Sequence, residues 1–352
     1  MIAMKALIAM SGGVDSSVAG LLAQKQNWDC VGCTMLLRGG DAETCGSNQD
    51  VADARAVAER LGMPFQVCDF TADFKRKVID KFIACYEQGV TPNPCIDCHR
   101  YMKFDQLYQV ARDLGCDWVV TGHYARIENE GGQFYLKKAV DDSKDQSYFL
   151  YHLTAEQLAH TQFPLGALTK VQVREIAEKH GFVNAHKRES QDICFVPNGD
   201  YAQVIQQYTN KTYPCGNFVN RDGEVLGQHR GIIHYTIGQR KGLAISAAQR
   251  MYVCDICPQN NTVCLCERDG LLKGEATAVD FHWINGVPSD KVFRCHAKIR
   301  YNQKDQPATA HVISADQIRV VLDEPQRAVT PGQALVLYQG DVVLGGGILT
   351  KA

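Results

Sequence analysis

No stretch of the 352-residue sequence runs, without a charge, to the ~20 apolar residues that a membrane-spanning helix needs. The opening run MIAMKALIAMSGG has one lysine and ends in paired glycines, with no long apolar region and no stop for a secretory peptidase. It reads as a first buried strand, and a soluble, cytoplasmic protein is expected. One-signed charge is absent as well: 37 Lys and Arg against 39 Asp and Glu give a net charge of -2. That balance argues against broad, non-specific affinity for nucleic acid, which depends on neutralising phosphates, and leaves only local basic patches. Internal repeats and low-complexity segments are absent. Cysteine, by contrast, is abundant. An odd count of 15 cannot all pair, so without an export signal most are expected to be buried thiols that behave as small hydrophobes.

The first part of the chain alternates apolar strands with amphipathic helices. KALIAM leads through glycines into DSSVAGLLAQKQ, and CVGCTMLL precedes DVADARAVAERLG, where Val51, Ala54, Val57, Ala58 and Leu61 recur at helical spacing and Gly62 supplies the stop. FQVCDF, the helical KFDQLYQVARDLG and CDWVVTGHYA continue the pattern. Such repetition implies a Rossmann-like α/β domain, with a parallel sheet covered on both faces. Past about residue 205 the texture becomes strand and turn. GNFVNRDGEVLGQH is a hairpin turning on Asp222 and Gly223, and MYVCDICPQNNTVCLCE is another around PQNN. The expected division is 1–205 for the α/β domain, 206–273 for a small linking β-rich domain and 274–352 for a C-terminal β-barrel. The barrel is expected to be removable after Gly274 without unfolding the first domain.

SGGVDSS, Ser11 to Ser17, lies between a strand and a helix, where loop amides and a helix N-terminus form an anion nest. Gly12 and Gly13 permit positive φ and close approach to phosphate. Ser11, Ser16 and Ser17 add hydroxyls, and Asp15 is a candidate magnesium ligand. The loop lacks the G-K-[ST] ending of a Walker loop, so cleavage elsewhere than at the terminal phosphate is implied. A glycine turn capped by serine and aspartate is the plain alternative.

Two sets of cysteines call for a reading. Cys95 and Cys98, with His99 beside them, form a C-x-x-C that suits a metal clip, a redox pair or a nucleophile alike. Cys254, Cys257, Cys264 and Cys266 look like a zinc ribbon, but residues of a strand alternate faces and the two halves lack matched spacing, so core packing is expected. Cys30 and Cys33 meet the same objection.

SGGVDSS resembles the PP-loop ATP pyrophosphatases, which cleave ATP to AMP and pyrophosphate while adenylating a substrate oxygen. TPNPCIDCHRYMKF, TGHYAR, KDQSYFLY, ESQDICF, HYTIGQRKGL and TPGQALVLY follow in that order. Together they resemble the bacterial tRNA-specific 2-thiouridylase family along essentially the whole chain. The resemblance implies conversion of the wobble uridine to 2-thiouridine, with ATP and Mg2+ as substrate, tRNA as partner, and a cysteine desulfurase or sulfur-carrier protein as donor. It implies ATP binding by Ala9, Met10, Ser11, Gly12, Gly13, Val14, Asp15, Ser16, Met35 and Gly122. It assigns Cys98 as the catalytic cysteine and Cys194 as the persulfide carrier. It implies tRNA contacts by Asn93, Pro94, Cys95, His123, Lys144, Asp145, Gln146, Arg300, Tyr301 and Gln333. Arg240 and Lys241 suit an RNA contact or a solvated basic turn equally. Some members carry aspartate where this chain has Cys95, which leaves the acid-base assignment open.

Two separated thiols suit a sulfur relay, in which one holds a transferable sulfur and the other displaces it. Three alternatives stand beside that reading. Another PP-loop enzyme with a small-molecule substrate would leave the cysteines idle. A non-enzymatic RNA-binding or metal module would leave the loop unexplained. A tRNA thiolase with Cys95, Cys98 and Cys194 as ligands of a 4Fe-4S cluster would make the C-x-x-C a metal clip.

Overall fold

The computed structural model describes residues 4–38, 47–187, 193–196, 199–247 and 249–351. Of the segment ESQDICF, residues 189–192 lie outside the described residues.

The first domain is built on a parallel sheet of β1 (Lys5–Ala9), β2 (Asp29–Leu36), β3 (Phe65–Asp69), β4 (Trp118–Val120) and the short β7 (Thr161–Gln162), in the order β3-β2-β1-β4-β7. Ala6, Leu7 and Ile8 are wholly buried, as a central strand covered on both sides requires. Ala6 and Ile8 pack with the helices Val14–Gln24 and Asn48–Arg60, whereas Leu7 faces Leu107 and Ala111. Cys30 and Cys33 likewise fall into opposite clusters, so they are core thiols. Ser47 caps helix Asn48–Arg60 through a reciprocal bond pair with Asp50, and Gly62 follows it at φ 65°. Because β1 pairs with β2 on one side and β4 on the other, the loop leaving its C-terminal end opens at the point where strand order reverses. Ligands of open α/β sheets bind at that place.

The helix expected from Lys103 begins earlier. Asn93 accepts a hydrogen bond from the Cys95 amide, Pro94 occupies the first helical position, and an α-helical turn Pro94–Cys98 runs on into wider π-helical turns over His99–Gln106 and the α-helical Leu107–Asp113. CIDC is therefore the first turn of a long helix. π-Type turns often mark functional sites.

The middle region pairs β10 (Tyr252–Cys257), β11 (Thr262–Cys266), β8 (Gly216–Val219) and β9 (Val225–His229) into a four-stranded sheet. One face buries Val253, Ile256, Val263, Leu265 and Phe218 in the same cluster as Phe74, Phe82 and Phe195 of the first domain. A bulge between Val253 and Asp255 breaks strict alternation and sets the Cys254 sulfur 3.5 Å from that of Cys264. Cys254 packs with Cys266, Tyr252 and Ile237, as core cysteines do.

The last region is a six-stranded closed barrel, β12 (Leu272–Trp283), β15 (Ile318–Arg327), β14 (Gln306–Val312), β13 (Val292–Lys298), β16 (Ala334–Gln339) and β17 (Val342–Leu349), closed by β12 pairing with β17. The first domain's hairpin, β5 (Ala125–Glu130) and β6 (Gln133–Lys138), extends this sheet through Val342 and Lys137. Leu136, Tyr148, Leu150 and Phe104 share one core with Ala334, Val336 and Tyr338, and the Tyr148 hydroxyl donates to the Ala334 carbonyl at 3.0 Å. The expectation of a removable barrel is thereby corrected: truncation after Gly274 strips the cover from first-domain side chains that are fully buried.

Candidate active site

The phosphate loop is held open by its own side chains. Gly12 adopts φ 70°, and a Cβ there would stand 2.5 Å from the Asp50 carbonyl oxygen, so glycine is required on both counts. Ser16 and Ser17 each donate to the Gly13 carbonyl at 3.0 Å, and Ser16 Oγ accepts from the Ser11 amide at 3.1 Å. The amides of Gly12, Gly13, Val14, Asp15 and Ser16 donate to no group among the described residues. They form the anion nest that the sequence implied, at the N-terminus of helix Val14–Gln24. Gly122 closes one side: a Cβ on it would meet Asp15 C and Ser16 N at 2.7 Å.

Motif reading missed the residues that brace this loop, because they come from far along the chain. Lys170, the first residue of helix Lys170–Lys179, donates to both Asp15 oxygens at 2.7 and 2.8 Å, and Tyr124 donates to one at 2.8 Å. Asn184 donates to the Gly12 carbonyl and to Ser17 Oγ, both at 3.0 Å. Lys187 bridges Asp50 and Asp53 and reaches the Gly12 carbonyl. Asp15, the candidate magnesium ligand, is thus paired with a buried lysine and remains partly exposed.

The candidate thiols lie in an apolar cluster. Cys98 is 9% exposed and belongs to a cluster with Phe74, Phe82, Met102 and Phe195; Cys194, half-buried, packs against the same cluster, and so does Met35. The structure therefore gathers both predicted cysteines, 96 positions apart by number, with the strand residue implied in ATP binding. Cys95, also half-buried, stands one turn before Cys98 on the helix. Its carbonyl accepts from His99 Nδ1 at 2.6 Å. His99 and His123 face each other Nε2 to Nε2 at 2.9 Å, and Thr121 Oγ1 lies 2.6 Å from His123 Nδ1. Burial, and after it the charge of Lys103, holds both imidazoles well below their ordinary pKa of 6.5.

The residues implied in tRNA contact divide. His123 has both ring nitrogens engaged inside the protein. Asp145 is buried and accepts from the amides of Ala139 and Ser147 and from the Ser147 hydroxyl. Gln146 clasps the Tyr124 backbone in both directions. Arg300 donates to Ile237 O and Thr330, and Gln333 donates to the Thr91 carbonyl at 2.9 Å, tying the barrel to the turn before Asn93 and Pro94. Tyr301 packs tilted against Phe149, ring centres 4.3 Å apart, with Lys298 over its ring. Lys144 is half-buried, while Arg240 and Lys241 are exposed.

No three His, Cys, Asp or Glu side chains among the described residues are gathered as a metal ion needs. Cys95, Cys98 and Cys194 therefore do not present a ready ligand set for a 4Fe-4S cluster. No helix among the described residues is long and apolar enough to cross a membrane.

Residues 4–198 match the family described as tRNA methyl transferase HUP domain, 202–267 its PRC-barrel domain, and 273–349 an aminomethyltransferase beta-barrel domain. The tRNA-specific 2-thiouridylase MnmA of Clostridioides difficile is 48% identical over 99% of this chain and 98% of its own. That of Carboxydothermus hydrogenoformans is 47% identical with the same coverage of both. Among solved structures, the U34-tRNA thiolase NcsA from Methanococcus maripaludis, with its 4Fe-4S cluster, is 18% identical, covering 59% of this chain and 64% of that one. The TM-score between the two is 0.37.

Proposed function

Because the chain belongs to the tRNA-specific 2-thiouridylase family, we propose that it adenylates the wobble uridine of tRNA and replaces its 2-oxygen with sulfur from a Cys194 persulfide. It is a tRNA sulfurtransferase that uses ATP. The observation that supports this mechanism best is a continuous chain of contacts between its two halves. Gly122 abuts the phosphate loop, His123 follows it and meets His99, and His99 holds the carbonyl of Cys95, one turn from Cys98.

The loop amides bind the phosphates of ATP, and O2 of uridine attacks the α-phosphorus, expelling pyrophosphate. The adenylated base is electrophilic at C2, so the terminal sulfur of the Cys194 persulfide adds there and AMP departs. Cys98 then attacks Cys194 Sγ, breaking the S–S bond. The thiocarbonyl is freed, and a Cys98–Cys194 disulfide remains that a thiol reductant must reset. Release of hydrosulfide by Cys98 before attack on C2 balances equally well. The target base leaves the anticodon stack at small cost, since it lies in a single-stranded loop.

Cys95 shapes the base pocket in this reading, and the barrel with Arg300, Tyr301 and Gln333 grips the tRNA. The domain divisions proposed are near residues 205 and 273, the sulfur donor is a desulfurase or carrier protein, and the reaction is cytoplasmic. Incubating the protein with ATP, persulfide donor and tRNA tests it by nucleoside mass spectrometry. The reading requires 2-thiouridine and AMP together; AMP without tRNA modification in wild-type protein refutes it.

A further inference from the structure

Three half-buried lysines, Lys81, Lys103 and Lys187, and the buried Lys170 lie on or against the segments that carry the site residues, and three of the four have carboxylate partners. Lys170 pairs with Asp15, Lys187 with Asp50 and Asp53, and Lys81 with Asp97. Lys103 does not. Its Nζ lies 3.1 Å from His99 Nε2 and 3.4 Å from His123 Nε2, and among the described residues no carboxylate pairs with it. Withdrawing an ammonium from water without an opposing charge is costly, so a protein that keeps one half-buried has reason to expect an anion.

The hydrogen-bond pattern says what the ammonium can still do. The Cys95 carbonyl can only accept, so His99 Nδ1 carries the proton and its Nε2, in the neutral ring, offers a lone pair towards Lys103. An ammonium has three N–H groups, and the two imidazoles take at most two. The third is left for a ligand. Its position is set from both sides: His99 is fixed to the thiol helix, and His123 is fixed through Thr121 to the segment whose Gly122 touches Asp15 and Ser16 of the phosphate loop. The ammonium thus stands between the nucleotide side and the thiol side, where the reaction places a phosphate that is bonded first to pyrophosphate and then to the target base.

We propose that Lys103 is a phosphate-binding residue of the active site, held by His99 and His123, and that its remaining N–H serves the α-phosphate of the nucleotide. The inference rests on the adenylation reading above. It makes His99 and His123 positioning residues, and it gives His123 a role inside the protein rather than on the tRNA surface. A phosphate of the tRNA backbone has the same chemistry, and the contact through Gly122 favours the nucleotide.

The test compares wild-type protein with Lys103→Met and Lys103→Arg. Affinity is measured for a non-hydrolysable ATP analogue without tRNA, and for tRNA without nucleotide, alongside AMP formation with both present and thermal melting. Lys103→Met should melt near wild type and lose on the order of 10²-fold in AMP formation, the scale expected for removal of one preorganised donor to developing charge. Lys103→Arg should recover part of that loss, and added ethylammonium should recover part of it in Lys103→Met, which a packing role would not allow. Weaker analogue binding assigns the site to the nucleotide as proposed; weaker tRNA binding alone overturns that source in favour of the backbone. AMP formation and both affinities within twofold of wild type in a folded Lys103→Met, or equal loss in both variants with no amine rescue, overturn the inference. Wild-type protein that makes no AMP with tRNA would instead sink the adenylation reading itself.

Discussion

The two ends of the site are built in opposite ways. At the phosphate end a seven-residue loop supplies the nest, and its geometry follows from local rules: glycine where φ is positive, hydroxyls turned back onto the Gly13 carbonyl, amides left for an anion. At the thiol end almost nothing is local. Cys98 comes from a helix, Cys194 from a distant segment, and the apolar cluster that receives them takes Val253, Ile256 and Leu265 from the middle sheet. A phosphate nest can be built by a motif, whereas an apolar enclosure for two distant thiols takes the packing of separate domains. The phosphate end should therefore fail through single polar changes, and the thiol end through loss of one sulfur or of the cover.

The largest effect is expected at the phosphate end. Asp15→Ala should abolish AMP production and, by leaving Lys170 without its carboxylate at a side chain only 10% exposed, lower stability by about 1–3 kcal/mol. AMP production and a melting curve check both parts; a variant with wild-type AMP formation would break the contrast between the ends. Next in size is truncation after Gly274. It should yield an insoluble or early-melting first domain rather than a folded one with weak tRNA affinity, because Leu136, Tyr148 and Leu150 lose their cover. A soluble fragment with a cooperative transition would show that the thiol end does not depend on the other domains.

A smaller effect is expected at Cys95, which sharpens the comparison by separating pocket shape from sulfur chemistry. Cys95→Asp should keep substantial activity in iron-free protein. Activity that appears only after anaerobic iron-sulfur reconstitution, and vanishes in this variant, would restore the cluster assignment. The smallest is a pH effect at the junction. His99 and His123 have folded-state pKa values well below 6.5, and His152 is pushed down to about 3, in each case first by burial. The unfolded chain therefore binds more protons as pH falls. The stability these rings contribute is full above about 6.5, their unfolded value, and is lost progressively below it. His99→Gln should flatten the fall in melting temperature between pH 7.5 and 5.5, where both buffers are chosen to bracket that value. An unchanged slope would mean that the ring is not held neutral.

The same contrast explains what could be read from the sequence. The sheet, helix Asn48–Arg60 with its glycine stop, both middle hairpins and the phosphate loop follow from periodicity and turn chemistry, which act over a few residues. Helical periodicity is plain only from KFDQLYQVARDLG onward, so the earlier start of the Pro94 helix shows in the structure, where Asn93 is the cap and Pro94 the first helical residue. Lys170 is out of reach: it sits 155 positions from Asp15, and nothing local distinguishes it from any other lysine at the start of a helix. His99 reads as a structural neighbour of Cys98, and only the fold shows that it turns to His123 and Lys103. The shared core of the first domain and barrel is not legible for a similar reason, since the continuous apolar run ALVLYQ of β16 shows that the strand is buried but not against what.

The central claim is that nucleotide activation and sulfur delivery are separate operations housed at the two ends of one site. The most direct test is Cys194→Ser incubated with ATP, persulfide donor and tRNA, with AMP and 2-thiouridine quantified in the same reaction. ATP binding should persist and AMP should form while 2-thiouridine is absent. 2-Thiouridine at a rate near wild type would contradict that claim.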